Sequence, residues 1–417
     1  MPVNGHDSLK ICLLSYRSNP HSGGQGVYLK NLSRALKDLG HQVEVICGPP
    51  DPCLDADIPV VRLPCLDLYD PADPFRVPSL KELCHPLNLF EWLAVSTMGF
   101  PEPFLFGLRA YMIMRNRLDK YDIVHDNQSL SYGIWAISKF IPTVATIHHP
   151  ITVDREIAMR SVSATWKKMK HMRWYSFLGM QKRVARTLPK IITVSNCARE
   201  DISRAFKIPT NKFRIAPNGI NTAAFRPKPA ITREKNRVIV TNSADIALKG
   251  LYYLLEAVAQ IAKNRHIKLI VVGKPKKNGG IVKRVEQLGI EKFILFTGRI
   301  GEQEFVEQYA RASIAVVPSV YEGFGLPAGE AMACGVPVVS TTGGALPEVV
   351  GDAGVLVPPA DPVALANAIT ALLDDPGRAA ALGHAGYVRV QKNFTWQKAA
   401  EATAQAYKEA IFDHGRF

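Results

Sequence analysis

The chain has 417 residues, of which 47% are hydrophobic and 21% charged, with 30 Gly and 29 Pro. At about 150 residues per domain, two globular domains are expected, and collagen-like, coiled-coil and disordered compositions are excluded. The formal net charge of +14 is unevenly placed: residues 151–300 carry 31 Lys and Arg against 9 Asp and Glu, and the rest of the chain 20 against 28. A positive field confined to one region attracts phosphates, anionic lipid or nucleic acid.

Apolar, β-branched runs of strand length open the chain. Lys10 to Ser15, a helical stretch from Gly26 to Leu39 and Gln42 to Cys47 form a βαβ pattern. Further strands are expected at Ile123 to His125, Val144 to His148 and Ile191 to Ser195. An irregular stretch with Pro217, Pro227 and Pro229 follows, and the pattern restarts with Val238 to Asn242, a helix from Gly250 to Lys263, then Leu269 to Gly273, Ile294 to Gly298, Ile314 to Pro318 and Val336 to Ser340. Two doubly wound α/β domains follow from this grammar. We expect the first over 1–215, a hinge over 216–235, the second over 236–395, and a C-terminal helix over 396–417 that docks back.

Seven cysteines, an odd number with no C-x-x-C pair, suggest neither a disulfide framework nor a zinc site. The polar N-terminus lacks the basic-then-apolar order of a secretory signal. The longest apolar stretch, Leu87 to Leu108, is interrupted by Glu91, Pro101, Glu102 and Pro103 and does not read as a membrane span. The expected location is therefore the cytoplasm, or the inner face of the membrane as a peripheral protein.

Two motifs carry chemistry. Ser22-Gly23-Gly24-Gln25-Gly26 follows a strand and opens a helix, where backbone N–H groups face an anion with no Cβ in the way. A plain tight turn has the same residues. The third glycine of a dinucleotide fingerprint is replaced by Leu29, and no acidic ribose ligand ends the second strand, which disfavours a nicotinamide cofactor. The second motif runs from Tyr321 through Glu322, Phe324, Gly325, Leu326 and Glu330 to Pro337. Its two acids flank one helix N-terminus, where carboxylates and backbone N–H groups are able to hold the hydroxyls of a sugar and a ribose. A capping acid plus a solvated Glu is the purely structural alternative.

The segment from Glu322 to Glu330 resembles the E-x7-E signature of retaining glycosyltransferases of the GT-B fold, family four. Pro217-Asn218-Gly219-Ile220-Asn221, Thr193-Val194-Ser195, Lys249-Gly250 and Phe296-Thr297-Gly298 resemble other segments of that family, in compatible order. The resemblance implies two Rossmann-like domains facing across a cleft that holds the chemistry. It implies a metal-independent enzyme, with no cofactor beyond its donor substrate, that moves a hexosyl unit from a UDP- or GDP-linked sugar to an acceptor hydroxyl. By the same resemblance Glu330 binds the ribose, and Glu322 contacts the transferred sugar with the backbone of Phe324, Gly325 and Leu326. Lys249 contacts the diphosphate, Gly24 approaches donor phosphate or sugar, and His148 is the active-site histidine, with His149 as its rival. Asp154 and Arg155 are placed on the acceptor side. The sequence departs from the family at Ser243, where many relatives carry a second diphosphate-binding Arg; Arg299, Lys274 or Arg155 are the candidate substitutes.

Asp55-Ala56-Asp57 spells the D-x-D of metal-dependent glycosyltransferases, but it lies in a Pro- and Asp-rich loop of the first half and reads as surface. From Ile157 to Lys190 the chain has nine Lys and Arg and no acid, interleaved with Trp166, Met169, Met172, Trp174, Tyr175 and Phe177. This stretch suits an anionic membrane surface or a helix with its aromatics in the core; nucleic acid is the least favoured partner. The other functional classes left open are a non-catalytic binder of nucleotide sugar or anionic lipid and a GT-B-like epimerase or phosphorylase.

Overall fold

The computed structural model describes residues 8–19, 24–70, 73, 76–160, 162, 164–241, 246–277 and 279–415. Ser22, Gly23 and Ser243 lie outside the described residues. The chain divides into two compact units, one within Met1–Val194, Arg199–Ala216 and Ala399–Phe417, the other within Ser195–Ala198 and Pro217–Lys398. Residues 217–235 thus group with the second unit, and the terminal helix Trp396–His414 belongs mostly to the first.

The first unit is built on seven parallel strands: β1 (Lys10–Ser15), β2 (Gln42–Cys47), β3 (Val60–Arg62), β4 (Ile123–Asn127), β5 (Thr143–Ile147), β6 (Lys190–Thr193) and β7 (Phe213–Ile215). Their order is β3-β2-β1-β4-β5-β6-β7. Every residue of β4 and β5 is buried, as expected of a parallel sheet covered on both faces. The Gly24–Asp38 helix buries Tyr28, Leu29, Leu32, Leu36 and neighbours at helical spacing, which fixes its packed face. The apolar stretch around residue 90 folds into two helices, Pro86–Ser96 and Glu102–Met114, with prolines in their first turns, where a missing N–H costs nothing. Glu91 and Arg109 link them through a buried 2.7 Å ion pair.

The second unit has six strands: β8 (Arg237–Thr241), β9 (Lys268–Val272), β10 (Ile294–Phe296), β11 (Ile314–Val317), β12 (Val338–Thr341) and β13 (Val355–Val357). They are parallel, in the order β10-β9-β8-β11-β12-β13. The core between its helices and sheet is aliphatic, centred on Val238, Val240, Leu254, Leu255, Val258, Leu269 and Val316. In each sheet the chain winds outward one way and then crosses back, between β1 and β4 in the first unit and between β8 and β11 in the second. Loops leaving the strands' carboxyl ends diverge at such crossovers and open a crevice for ligand. No described helix is long and apolar enough to cross a membrane.

Candidate active site

In the second unit the two loops at the β8/β11 crossover are joined. Lys249 ends a short turn after β8, and Glu322 lies in the loop after β11. Lys249 Nζ donates to Glu322 Oε1 at 2.7 Å, and Ser319 Oγ donates to the same oxygen at 2.8 Å. The Val320 N–H donates to the Leu248 carbonyl at 2.8 Å, so the backbones are stapled as well. Gly250 makes this approach possible: its φ is +67°, and a Cβ there would stand 1.9 Å from the Pro318 carbonyl oxygen. On the far side, the Ala345 N–H holds the Glu322 carbonyl at 2.8 Å.

Gly325, at φ +104°, turns the chain into the Leu326–Ala333 helix, and a Cβ there would meet Leu346. Phe324 is buried edge-on against Phe394 at 5.6 Å. Glu330 lies on the same helix, half-buried, and no hydrogen-bond donor among the described residues reaches its carboxylate. Burial, and secondarily the charge of Glu302, pushes its carboxyl up to about 7. An unpaired carboxylate in that setting gains from two hydroxyl donors, which is the bonding capacity of a ribose diol. Arg299 is exposed beyond β10 and Lys274 beyond β9, without a described partner.

In the first unit the crossover lies between β1 and β4, and Asn127 at the end of β4 connects its parts. Its Oδ1 accepts from His148 Nε2 at 2.8 Å, and its Nδ2 donates to the Gln25 carbonyl at 3.3 Å and to Ser15 Oγ at 3.2 Å. The Gln128 side chain spans the next peptide, accepting from the His148 N–H at 2.9 Å and donating to the His149 carbonyl at 3.3 Å. Gln128 and Leu130 have φ of +61° and +48°. Asp126 holds this strained turn by accepting from the Leu130 N–H at 2.7 Å and from Ser129 Oγ. Burial pushes Asp126 up to about 6, against the pull of those donors.

His148 packs edge-on to Tyr28 at 4.7 Å, and burial drives its imidazole down to about 3, with the charges of His149 and His125 adding to the effect. It is therefore neutral at physiological pH. His149 instead faces Asp154, with Nε2 2.7 Å from its carboxylate. A Cβ added to exposed Gly24 would meet no atom of the protein, so packing within the described residues does not demand glycine there.

The structure thus joins Lys249 to Glu322 and seats Glu330 on the helix that follows, and it joins His148 to the segment that begins at Gly24. Sequence reading passed over Asn127, Gln128 and Ser319. The signal for all three was their place at or just after a strand's carboxyl end. Asp55 and Asp57 are ion-paired with Arg34 and Lys37, which occupies the D-x-D carboxylates.

Residues 22–224 match the model of glycosyltransferase family 4, and residues 235–375 match that of the glycosyl transferases group 1. The chain is 43% identical to the MMP α-(1→4)-mannosyltransferase of Mycolicibacterium hassiacum, over 97% of its own length and 98% of that protein. It belongs to the family-four GT-B glycosyltransferases. This glycosyltransferase is also 27% identical to the D-inositol 3-phosphate glycosyltransferase of Streptomyces scabiei, over 98% of this chain and 93% of that one. Sucrose-phosphate synthase of Thermosynechococcus elongatus superposes with a TM-score of 0.74 at 26% identity, covering 97% of this chain and all of that one. Anabaena HepE, solved with UDP and glucose, superposes with a TM-score of 0.70 at 18% identity, covering 96% of this chain and all of that one, and shares the fold. The enzyme is accordingly a hexosyltransferase.

Proposed function

We propose that this glycosyltransferase moves a hexosyl unit, mannosyl in the first instance, from a nucleoside-diphosphate sugar to an acceptor hydroxyl with retention and without a metal. The observation that carries the donor assignment is the Lys249–Glu322 pair at one crossover, on the loop that leads into the helix of Glu330. Donor diphosphate competes for Lys249, and its binding releases Glu322 Oε1 to accept sugar hydroxyls while Ser319 keeps the carboxylate in place. Glu330 takes the ribose diol. The mannosyl unit is favoured by the name of the Mycolicibacterium relative, whose α-linked product corresponds to retention from an α-linked donor.

Retention is assigned to same-face substitution. The acceptor oxygen forms its bond to the anomeric carbon as the bond to the β-phosphate oxygen breaks, the electron pair leaves with the nucleotide, and the acceptor proton passes to that phosphate oxygen. Lys249 and the backbone N–H groups following Glu322 stabilise the charge that develops on it. On the first unit His148, neutral and fixed by Asn127, serves the acceptor side. Metal independence is favoured because the two acids assigned to the donor site are given hydroxyl-binding roles, and no group of three or more His, Cys, Asp or Glu that could hold a metal occurs among the described residues. We also propose that the Thr165–Trp174 helix rests on an anionic membrane surface.

The test is a thermal-shift panel of UDP-, GDP- and ADP-hexoses, followed by transfer of radiolabelled sugar in EDTA with the product anomer read by NMR. A ligand at ~100 times its dissociation constant adds about 2.7 kcal/mol of stability. Stabilisation by none of the donors overturns the donor site. Abolition by EDTA with rescue by Mg²⁺ overturns metal independence.

A further inference from the structure

An open groove of about 510 Å³ runs along the first unit between the Thr152–Arg160 helix, the Thr165–Trp174 helix and the start of the Leu178–Thr187 helix. Its surface is mostly apolar, made by Met159, Met172, Tyr175 and Leu178, with Arg155 and Glu156 as its charged groups and Ser176 as a polar one. The polar groups offer partners to sugar hydroxyls, while the apolar part of the wall gains free energy by removing hydrocarbon from water. The groove borders the histidine segment on two sides. Arg155 follows Asp154, the partner of His149, and the Tyr175 hydroxyl is near enough to feel the Asp154 charge, which together with the larger effect of burial pushes it up. The Leu178–Thr187 helix is tied to the same segment by Gln181 Nε2, which donates to the Gln128 carbonyl at 3.0 Å and the Ser129 carbonyl at 3.2 Å.

Met172 continues the groove onto the exposed face of its helix, where Trp166, Met169 and Met172 follow at three-residue spacing and are each more than 60% exposed. An apolar track thus leads from solvent to the residues beside His149.

We propose that the groove is an acceptor subsite for an amphiphile, a sugar whose aglycone is a lipid-like hydrocarbon chain, with the sugar toward His148 and His149 and the chain along Met159, Met172 and Tyr175. The word acceptor rests on the transfer reading above; the apolar binding does not.

The experiment compares equilibrium binding of n-octyl and methyl α-D-mannopyranoside to the full chain, by titration calorimetry below the micellar concentration of the octyl compound. The octyl compound binds at least tenfold tighter. Met159→Asp and Met172→Asp each remove most of that advantage, whereas Phe140→Asp, at an exposed apolar residue outside the groove, leaves it unchanged. Met159 is half-buried and Met172 exposed, so the variants keep their fold, which circular dichroism checks. Equal affinity for the two mannosides overturns the proposal, as does an advantage that survives in both groove variants. A nucleotide-sugar panel run in parallel separates the two readings, because loss of donor stabilisation refutes the donor site and leaves the mannoside comparison standing.

Discussion

Glu330 and Glu322 have the same functional group in opposite settings, and their substitutions should behave differently. Glu330→Ala should weaken donor binding roughly 10–100-fold, the range for a lost hydrogen bond to a charged group, because the proposed ribose contacts persist throughout the reaction. Glu322→Ala lowers turnover at saturating donor by a similar factor if its sugar contacts strengthen as the glycosidic bond breaks. Steady-state kinetics separate the two, and unchanged activity in both removes the site assignment. Glu330 also predicts a pH dependence. Its carboxyl titrates near 7 in the folded chain and near 4.3 when unfolded, so the folded state binds the extra proton and stability falls as pH rises between those values. Glu330→Gln is therefore more stable than the parent at pH 8, and the difference closes toward pH 4. Donor affinity has the opposite trend, rising through pH 7 as the carboxylate forms, and a Gln variant has no such rise. Lys249→Ala strips Glu322 of its cation, and a rise in donor KM beyond tenfold is expected; an unchanged KM would assign the diphosphate to another cation such as Arg299.

Among the elements, the Thr165–Trp174 helix is the one whose surface most needs an explanation, since none of its residues is buried. The large apolar side chains of this helix and of the turn after it divide by position. Trp174 stacks on Phe100 at 4.9 Å and Phe177 meets the same ring at 5.3 Å, while Trp166, Met169 and Met172 face solvent among Lys167, Lys168 and Lys170. Flotation with anionic vesicles should therefore succeed at low salt and weaken at high salt, because the Debye length shrinks from ~10 Å at 0.1 M to ~3 Å at 1 M. Failure at low salt leaves the helix without a lipid role. The longer strands were legible from their β-branched runs: β1 and β2 fall on the residues read from sequence. Strands β3, β7 and β13 were missed: each has three residues, too few to show a period, and lies at a sheet edge, whereas β10, as short and also at an edge, was read as part of the longer run Ile294 to Gly298. The helices at 86–96 and 102–114 were read only as an interrupted apolar stretch, because proline punctuates a helix at its start as well as at its end. Glu322, Glu330 and Lys249 were proposed as site residues only through resemblance; the spacing of the two acids alone reads as capping and solvation. The 73-residue separation of Lys249 from Glu322 is closed by a sheet crossover, which no local pattern reports.

At the scale of the molecule, the first unit depends on a residue far along the chain. His125 on β4 is buried between Thr146 Oγ1 at 2.7 Å and the Tyr407 hydroxyl at 2.6 Å. Tyr407→Phe leaves one ring nitrogen without its partner and should cost about 1–3 kcal/mol, read by urea unfolding. Loss below ~0.5 kcal/mol would mean that another group takes over the bond. Burial also pushes His125 down to about 3, as it does His148. The unfolded chain therefore binds protons that the folded one refuses, and this contribution to stability is lost as pH falls from ~6.5 toward 3.

The same helix has a consequence for biosynthesis. Residues 217–395 lie, in sequence, between the body of the first unit and the helix that supplies Tyr407. At ~5–20 residues per second, a ribosome needs roughly 10–40 s to pass these ~180 residues, and in that interval the first unit's strands have been made but their last covering helix has not. The second unit can complete itself meanwhile. During translation the C-terminal unit should thus reach its final packing first, and the nascent N-terminal half should expose the apolar surface around β4 that chaperones bind.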